Sequence, residues 1–206
     1  MLSRRSFAPL LLAAMALLAS PARAQEAPDA LVVRISTDVL EAVKADKSIQ
    51  TGDVQKVILL VDAKVMPSVN FKRMTASAVG KFWRQATPEQ QQRLQEEFKT
   101  LLIRTYSGAL TQVKDQTVQI KPMRSKPEDE DVVVRSEVRG KGDPVQLDYR
   151  LEKTPAGWKV YDVNVLGVWL VENYRNSFSQ EIGASGIDGL ISKLAARNKA
   201  AVAAKG

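Results

Sequence analysis

Between residues 30 and 112, apolar side chains recur every three or four positions, which is the spacing of an amphipathic helix. Three segments share this pattern: 30–43, 51–67 and 71–83. Pro67 ends the second of them, because proline disfavours helical backbone in the residue before it. The first half of the chain is therefore predicted to be helical.

The clearest helix start in the chain is at Thr87. Thr87 suits the N-cap, Pro88 suits the first helical position, and Gln90 stands where a capping box takes Glu or Gln. One apolar stripe follows, made of Leu94, Phe98, Leu101, Leu102 and Tyr106. We expect a long amphipathic helix that begins at Pro88.

After Gln112 the apolar spacing changes from helical to alternating. Turn-forming stretches separate four segments, which are TVQIKP, DVVVRSEVRG, VQLDYRLEK and WKVYDVNVLG. In the third segment, apolar and polar residues alternate from Val145 to Glu152, so one face is buried and the other meets water. Residues 115–166 are therefore predicted to form an antiparallel meander of four strands.

The chain closes with helical spacing. Two helices are expected, from Val168 to Ile182 and from Ile187 to about Ala196, with GASG between them. This order argues for an α+β fold, in which helices within 30–112 and 168–200 pack on one face of a curved four-stranded antiparallel sheet. Such a sheet covers either a solid core or an apolar cavity. No linker or repeat divides residues 25–206, so one domain is expected.

The first 24 residues have the pattern of a cleavable export signal. Arg4 and Arg5 precede the apolar run APLLLAAMALLA, and a small-x-small pattern ends at Ala24. The run is too short to span a bilayer comfortably. Residues 3–7 also fit a twin-arginine signal, whereas the leucine-rich run fits the general export route. Both routes stay open.

Composition removes several classes of function. The chain has no histidine, which excludes Ser-His-Asp and Cys-His nucleophile systems and histidine-ligated zinc and iron sites. It has no cysteine, so an exported chain would depend on its core without disulfides. The net charge is +7, and the three arginines of the signal reduce it to +4 when they are removed. Because acidic residues are interspersed with the basic ones, nucleic-acid binding is not expected.

The segment GVWLVENYRNSF brings Glu172, Tyr174 and Arg175 together directly after the last predicted strand. An acid, a phenol and a cation could form a catalytic site. Helical spacing favours another interpretation, in which Tyr174 lies on a buried helix face while Glu172 and Arg175 meet solvent. We therefore predict a helix with a buried aromatic face, and the place of Trp169 is left open.

A curved sheet can also host proton transfer without histidine, through a buried aspartate and a tyrosine. Asp148 and Asp162 alternate with apolar neighbours, which predicts that both face water. The acidic stretch PEDEDVVVR has no glycine where a calcium loop needs its sharp turn, so a charged hairpin tip is expected. No metal site is predicted.

Three segments occur together in an order typical of one family. They are FKRMTASAVGKFWRQATPEQQQRLQEEFKTLLIRTYSGAL (71–110), DYRLEKTPAGWKVYDVNVLGVWLVENYRNSF (148–178) and GIDGLISKL (186–194). Together they resemble the MlaC family of periplasmic phospholipid carriers, also called the toluene-tolerance auxiliary family. The likeness runs from about Ile58 to Leu194. Trp169 departs from the family pattern, which commonly has a small polar residue after Gly-Val.

The resemblance implies a monomeric carrier in the periplasm of a Gram-negative bacterium, and neither an enzyme nor a cofactor protein. Such carriers hold a phospholipid by its acyl chains between sheet and helices. They pass it between an outer-membrane lipoprotein complex and an inner-membrane ABC transporter with an MCE-domain ring, which maintains outer-membrane lipid asymmetry. The alternatives are a carrier of another hydrophobe, such as a hopanoid, a histidine-free isomerase or hydrolase on an NTF2-like curved sheet, and an interaction adaptor, which would need a solid interior.

On this interpretation the lipid-binding wall consists of inward positions on facing elements. The candidates are Met74, Phe82, Phe98, Leu102, Tyr106, Val134, Leu147, Tyr149, Tyr161, Val163, Val171, Tyr174 and Phe178. Each of them could equally belong to an ordinary core.

Overall fold

The computed structural model describes residues 25–123, 126 and 128–203. The predicted export signal lies outside the described residues. The α-helices are α1 Pro28–Ala45, α2 Lys47–Gln50, α3 Val54–Leu60, α4 Phe71–Val79, α5 Pro88–Leu110 and α6 Leu170–Ala203. The strands are β1 Thr117–Ile120, β2 Asp131–Arg139, β3 Val145–Thr154, β4 Gly157–Val165 and β5 Val168–Trp169. The predicted α+β class is confirmed.

The strands form one antiparallel sheet in the order β1-β2-β3-β4-β5, so each strand pairs with its neighbour in sequence. The four predicted strands are present, and β5 is an addition. Its two residues were predicted to begin a helix, but they follow a tight turn at Leu166 and Gly167 and pair with the end of β4. Both turn residues have positive φ, 52° and 90°. This backbone conformation is typical of the turns that join strands in a hairpin.

The helices of the first half begin where local signals place them. At the start of α5 the predicted capping box is present: the Gln90 N–H donates to the Thr87 hydroxyl at 3.2 Å, and the Thr87 N–H donates to the Gln90 side chain at 3.0 Å. The third predicted helix divides at Gly80, whose φ is 66°. It consists of α4 followed by a 3₁₀ segment over 80–85.

The second predicted helix changes its winding before it ends. It is α-helical over Val54–Leu60, π-helical over Val61–Val65, and 3₁₀ over Met66–Ser68. We call residues 61–69 the wall segment. A π-helical turn is uncommon and frequently marks a functional position. After the wall segment, the Asn70 N–H donates to the Val160 carbonyl at 2.8 Å, which fixes its end against β4.

The C-terminal region is one long helical element with a kink. Gly186 is non-helical, with φ 72° and ψ −179°, which agrees with the break predicted at GASG. The helix begins at Leu170, two residues after the predicted Val168. Residues on both sides of this kink belong to the helical core that α6 forms with α4 and α5.

Apolar side chains form three clusters. The helical core, between α4, α5 and α6, is centred on Phe98, which has no exposed surface. Its ring contacts the rings of Phe71, Tyr174 and Phe178, with centroids 5.0 to 5.8 Å apart. The sheet core lies between α1 and strands β2 to β4. A third cluster joins α1, α2 and α3 to α5.

The prediction that Asp148 and Asp162 face water is wrong. Asp162 is 1% exposed and Asp148 is 5% exposed. The chain returns over this face of the sheet, where the Val171 N–H at the start of α6 donates to the Asp162 carboxylate at 3.1 Å. Arg150 also donates to Asp162, at 3.1 Å, and the ring of Trp169 lies 3.9 Å from that guanidinium. Trp169 therefore shields the ion pair that anchors α6.

Candidate functional site

A cavity of about 180 Å³ lies where the helical core meets the sheet core. Every layer of the fold contributes to its walls. Its lining consists of Val32, Ile35, Ser36, Val61, Val65, Met66, Val69, Phe71, Met74, Lys99, Leu102, Ile103, Tyr149, Val160, Val163 and Leu170. Aliphatic side chains and methionine predominate, so the cavity is an apolar site.

The two strands that line the cavity are offset by a bulge. Arg150 pairs with Asp162 and Leu151 pairs with Val160, so Tyr161 is left without a partner between them. The extra residue keeps Val160 and Val163 on the cavity side while Tyr161 turns away. The guanidinium of Arg73 lies 3.6 Å from the Tyr161 ring.

Tyr149 brings a polar group to the sheet side of the cavity. Its phenol interacts with the hydroxyls of Ser36 on α1 and Ser136 on β2, and the Ser136 hydroxyl donates to the Leu147 carbonyl at 2.7 Å. Burial raises the pKa of Tyr149, and the two serine hydroxyls act in the opposite direction. The phenol is therefore neutral at physiological pH.

Lys99 of α5 brings a cation to the helical side of the cavity. Its ammonium donates to the Asp62 carboxylate on the wall segment at 2.7 Å. The side chain of Lys99 is 26% exposed and that of Asp62 is 42% exposed, so the pair lies at the rim of the cavity. It bridges α5 and the wall segment.

Four of the predicted wall residues line the cavity together: Met74, Leu102, Tyr149 and Val163. They come from α4, α5, β3 and β4, so the structure brings together positions far apart in sequence. This agreement concerns the location of the side chains. Their contact with a ligand stays a prediction.

The other nine candidates lie outside the cavity lining. Five of them, on the 3₁₀ segment, α5 and α6, belong to the helical core or pack against it: Phe82, Phe98, Val171, Tyr174 and Phe178. The remaining four are Val134 in the sheet core, half-buried Leu147 on β3, half-buried Tyr106 on α5, and Tyr161 beside Arg73. Any contact of these nine with a ligand also stays a prediction.

Sequence reasoning missed the contribution of the N-terminal elements. Val32 and Ile35 of α1 and Val61 and Val65 of the wall segment line the cavity. Their spacing by three or four positions was visible in the sequence as a helix face. It gave no sign of which neighbour that face would meet, and this is why these residues were not among the candidates.

The ionisable side chains among the described lining residues are Lys99 and Tyr149. The enzyme alternative requires a carboxylate at the cavity, and the buried Asp162 instead caps α6 and pairs with Arg150. Burial raises the pKa of Asp162, against the Val171 and Val163 amides and Arg150, which lower it. Within the described residues, no group of three or more acidic side chains is placed to hold a metal ion.

A second, more open groove of about 640 Å³ lies beside the start of α1. Its lining includes the charged residues Glu26, Arg34 and Lys159. Glu26 and Arg34 pair with each other at 2.8 Å, which leaves a polar, solvated surface. The apolar cavity is therefore the candidate site.

The fold and this site define a class: an α+β protein whose helices and curved sheet enclose an apolar cavity with a polar rim. Comparison with known proteins makes the assignment specific. The family model described as MlaC protein matches residues 33–196, and the chain belongs to this family. The resemblance found in the sequence is thereby confirmed.

Individual relatives support the assignment to this family. The chain is 28% identical to the toluene tolerance protein ttg2D of Pseudomonas putida over 180 residues, which cover 87% of this chain and 82% of the relative. It is 24% identical to the intermembrane phospholipid transport system binding protein MlaC of Haemophilus influenzae over 175 residues, 83% and 82% of the two chains.

A solved structure is more similar still. The phospholipid-binding protein from Ralstonia solanacearum, determined in complex with a phospholipid, is 51% identical, with a TM-score of 0.82. The match covers 84% of this chain and 98% of that chain. Among the described residues, none of the helices combines the length and the hydrophobicity that a membrane span requires.

Proposed function

We propose that this protein is a periplasmic phospholipid carrier that holds acyl chains in the apolar cavity. The observation that carries the proposal is the cavity itself, which lies between sheet and helices and has a predominantly apolar lining. The similar Ralstonia solanacearum protein was determined with a phospholipid bound, and 51% identity makes a shared ligand class the simplest expectation.

The energetics suit a carrier. Moving one acyl chain of about 16 carbons out of water gains roughly 13 kcal/mol at about 0.8 kcal/mol per methylene. A membrane offers nearly the same free energy, so transfer between bilayer and cavity is close to neutral. Apolar walls are sufficient for this task, and no bond in the lipid has to change.

The cavity is small for this ligand. About 180 Å³ is below the roughly 300–1,000 Å³ that is usual for ligand pockets. The walls must therefore separate as the lipid enters. The wall segment suits such a movement, because π- and 3₁₀-helical turns are less favourable than α-helical ones. Flexible Met66 can repack along the ligand.

In this proposal the protein carries lipid between the outer and the inner membrane. The predicted export signal directs the chain to the periplasm, where a monomeric carrier would exchange lipid with an outer-membrane lipoprotein complex and an inner-membrane ABC transporter bearing an MCE-domain ring. Such exchange would maintain outer-membrane lipid asymmetry. The relative from Haemophilus influenzae, which is named as part of an intermembrane phospholipid transport system, supports this proposal.

The test is to identify what the protein carries. Protein purified from a bacterial host is extracted with organic solvent, and the extract is analysed by mass spectrometry, with and without prior incubation with phospholipid vesicles. We expect intact phospholipid in a fixed ratio to protein. An extract without lipid after vesicle incubation would overturn the proposal, while a hopanoid in its place would identify the alternative ligand. Cleaved lipid would favour the enzyme alternative.

A second assay tests transfer as distinct from binding. Donor vesicles that contain a fluorescent phospholipid are mixed with unlabelled acceptor vesicles, and the movement of label is followed with and without the protein. A carrier should accelerate transfer in proportion to its concentration. Binding without acceleration would indicate a storage role and would contradict the shuttle.

A further inference from the structure

A cationic side chain, Lys99, is among the described residues that line the cavity. It is the one cation among these described residues, and its lining neighbours on α5 are Leu102 and Ile103. Positions i, i+3 and i+4 share one face of a helix. An acyl chain that lies along Leu102 and Ile103 would therefore have its polar end beside the Lys99 ammonium.

Lys99 already binds an anion in this structure. Its ammonium lies 2.7 Å from the Asp62 carboxylate, which belongs to the wall segment and not to α5. Both side chains are partly exposed, 26% for Lys99 and 42% for Asp62. Solvent weakens such pairs, so another anion can replace the carboxylate at little cost. A phosphate diester is a suitable replacement, because lysine binds phosphate oxygens through charge-assisted hydrogen bonds.

We propose that Lys99 binds the phosphate of the carried lipid, and that Asp62 is an exchangeable counterion that closes the rim when the cavity is empty. This inference rests on the proposed function. It adds what acyl-chain binding alone does not supply: discrimination between a lipid with a phosphate and a neutral lipid with the same chains. It also couples loading to opening, since the exchange breaks the ion pair between the wall segment and α5.

The test is a competition between two lipids that differ only in the phosphate-bearing headgroup. Vesicles contain equal amounts of palmitoyl-oleoyl phosphatidylglycerol and palmitoyl-oleoyl glycerol. After incubation and removal of the vesicles, the ratio of the two lipids bound to the protein is measured by mass spectrometry. Lys99→Gln should lower the ratio of phospholipid to diacylglycerol at least about tenfold, the lower end of the scale for one lost hydrogen bond to a charged group.

Asp62→Asn gives a test in the opposite direction. Removal of the competing carboxylate should raise the ratio about two- to threefold, which a folding defect would not produce. Lys64→Gln is the matched control. Lys64 is exposed on the π-helical turn that also carries Asp62, and it is not among the residues that line the cavity. Its substitution therefore removes one positive charge, as Lys99→Gln does, but leaves the cavity lining unchanged. It should leave the ratio unchanged.

The outcomes separate the two proposals. If wild-type protein takes up neither lipid, the proposed function fails and the headgroup site fails with it. If lipid is bound but Lys99→Gln leaves the ratio unchanged, or Lys64→Gln lowers it equally, only the headgroup site is overturned. Inorganic phosphate, titrated alone and followed by its ³¹P line width, should behave alike with wild-type and Lys99→Gln protein. Saturable broadening by the wild type alone would indicate a free-phosphate site and overturn the assignment to lipid.

Discussion

The helical core and the cavity wall lie on adjacent faces of α5, and they are packed in different ways. Phe98 and Leu101 face the helical core and are 0% and 3% exposed. Leu102, the next residue, borders empty space. Aromatic rings in tilted and edge-to-face contacts lie at the centre of the core, whereas valine, isoleucine and methionine form most of the wall. Aromatic packing holds one geometry, while flexible aliphatic side chains adapt. The fold thus combines a rigid frame with an adaptable wall.

The largest expected effect is in the rigid frame. Phe98→Ala removes the ring at the centre of the aromatic cluster and should cost about 3–5 kcal/mol of unfolding free energy, or roughly 10–15 °C in melting temperature. Leu102→Ala, at the wall, should cost about 1 kcal/mol, since this side chain is only half-buried and already faces a cavity. Urea unfolding of both variants checks the contrast, and equal losses would contradict it.

A smaller effect is expected where the two regions join. At the start of α6, Leu170 lines the cavity while Val171 faces the helical core, and Asp162 holds this point by accepting the Val171 N–H. Asp162→Ala should cost about 2–3 kcal/mol, because it leaves a buried N–H unpaired and removes the partner of Arg150.

Asp162→Asn serves as the conservative variant in this experiment. It retains an oxygen for the amide and should cost about 1 kcal/mol. Thermal unfolding and lipid extraction are measured on the same samples. Asp162→Ala should also reduce the retained lipid, because the cavity loses its support at Leu170. Normal lipid content in a destabilised Asp162→Ala protein would show that frame and wall are independent at this junction.

One substitution at two neighbouring positions tests the comparison most directly. Leu101→Phe overfills a packed core and should cost about 1–3 kcal/mol while the protein still carries lipid. Leu102→Phe puts the same volume into the cavity and should change stability by less than about 1 kcal/mol while lipid content falls. Melting temperature and extracted lipid per protein are the two readouts. If both variants lose the same property, the distinction between the two faces of α5 fails.

The smallest expected effect concerns how the free energy of unfolding depends on pH. Burial raises the pKa of Asp162 above its ordinary 3.8, against the opposing amides and Arg150. Just above pH 3.8, the native state retains a proton that the unfolded chain releases, so this group's contribution to stability falls as pH rises through that window. The difference in stability between wild type and Asp162→Asn should fall in the same way. A difference that rises with pH would show that the fold favours the charged carboxylate.

Much of the fold followed from local signals. Thr87, Pro88 and Gln90 predicted the start of α5 because capping depends on a few adjacent residues. Strand alternation predicted β1 to β4 for a similar reason. The bulge at Tyr161 depends on the register between β3 and β4, which is set by contacts across the sheet. The burial of Asp162 depends on the return of α6, and the sequence of β4 alone contains no sign of it.

The predicted wall residues coincide only in part with the cavity lining, and the difference has a physical cause. Large aromatic residues such as Phe98 and Tyr174 were expected at the wall, because hydrophobicity and helical spacing do not distinguish a core position from a cavity position. Space remains where packing is incomplete, and the aromatic residues Phe98, Tyr174 and Phe178 are instead buried together in the helical core. Val61 and Val65, as smaller aliphatic residues, gave a weaker indication of a ligand-binding wall than the aromatic residues did, yet they border the cavity.

The neighbour-to-neighbour order of the strands has a kinetic consequence. Since every strand pairs with the strand beside it in sequence, the sheet forms through short loop closures, which are fast. The helical core instead joins α5 to α6, for example Phe98 to Tyr174, across the whole intervening sheet. Such distant contacts require a larger loss of chain entropy and are expected late. The cavity lies between an early sheet and a late helical core, so its enclosure is expected among the last steps of folding.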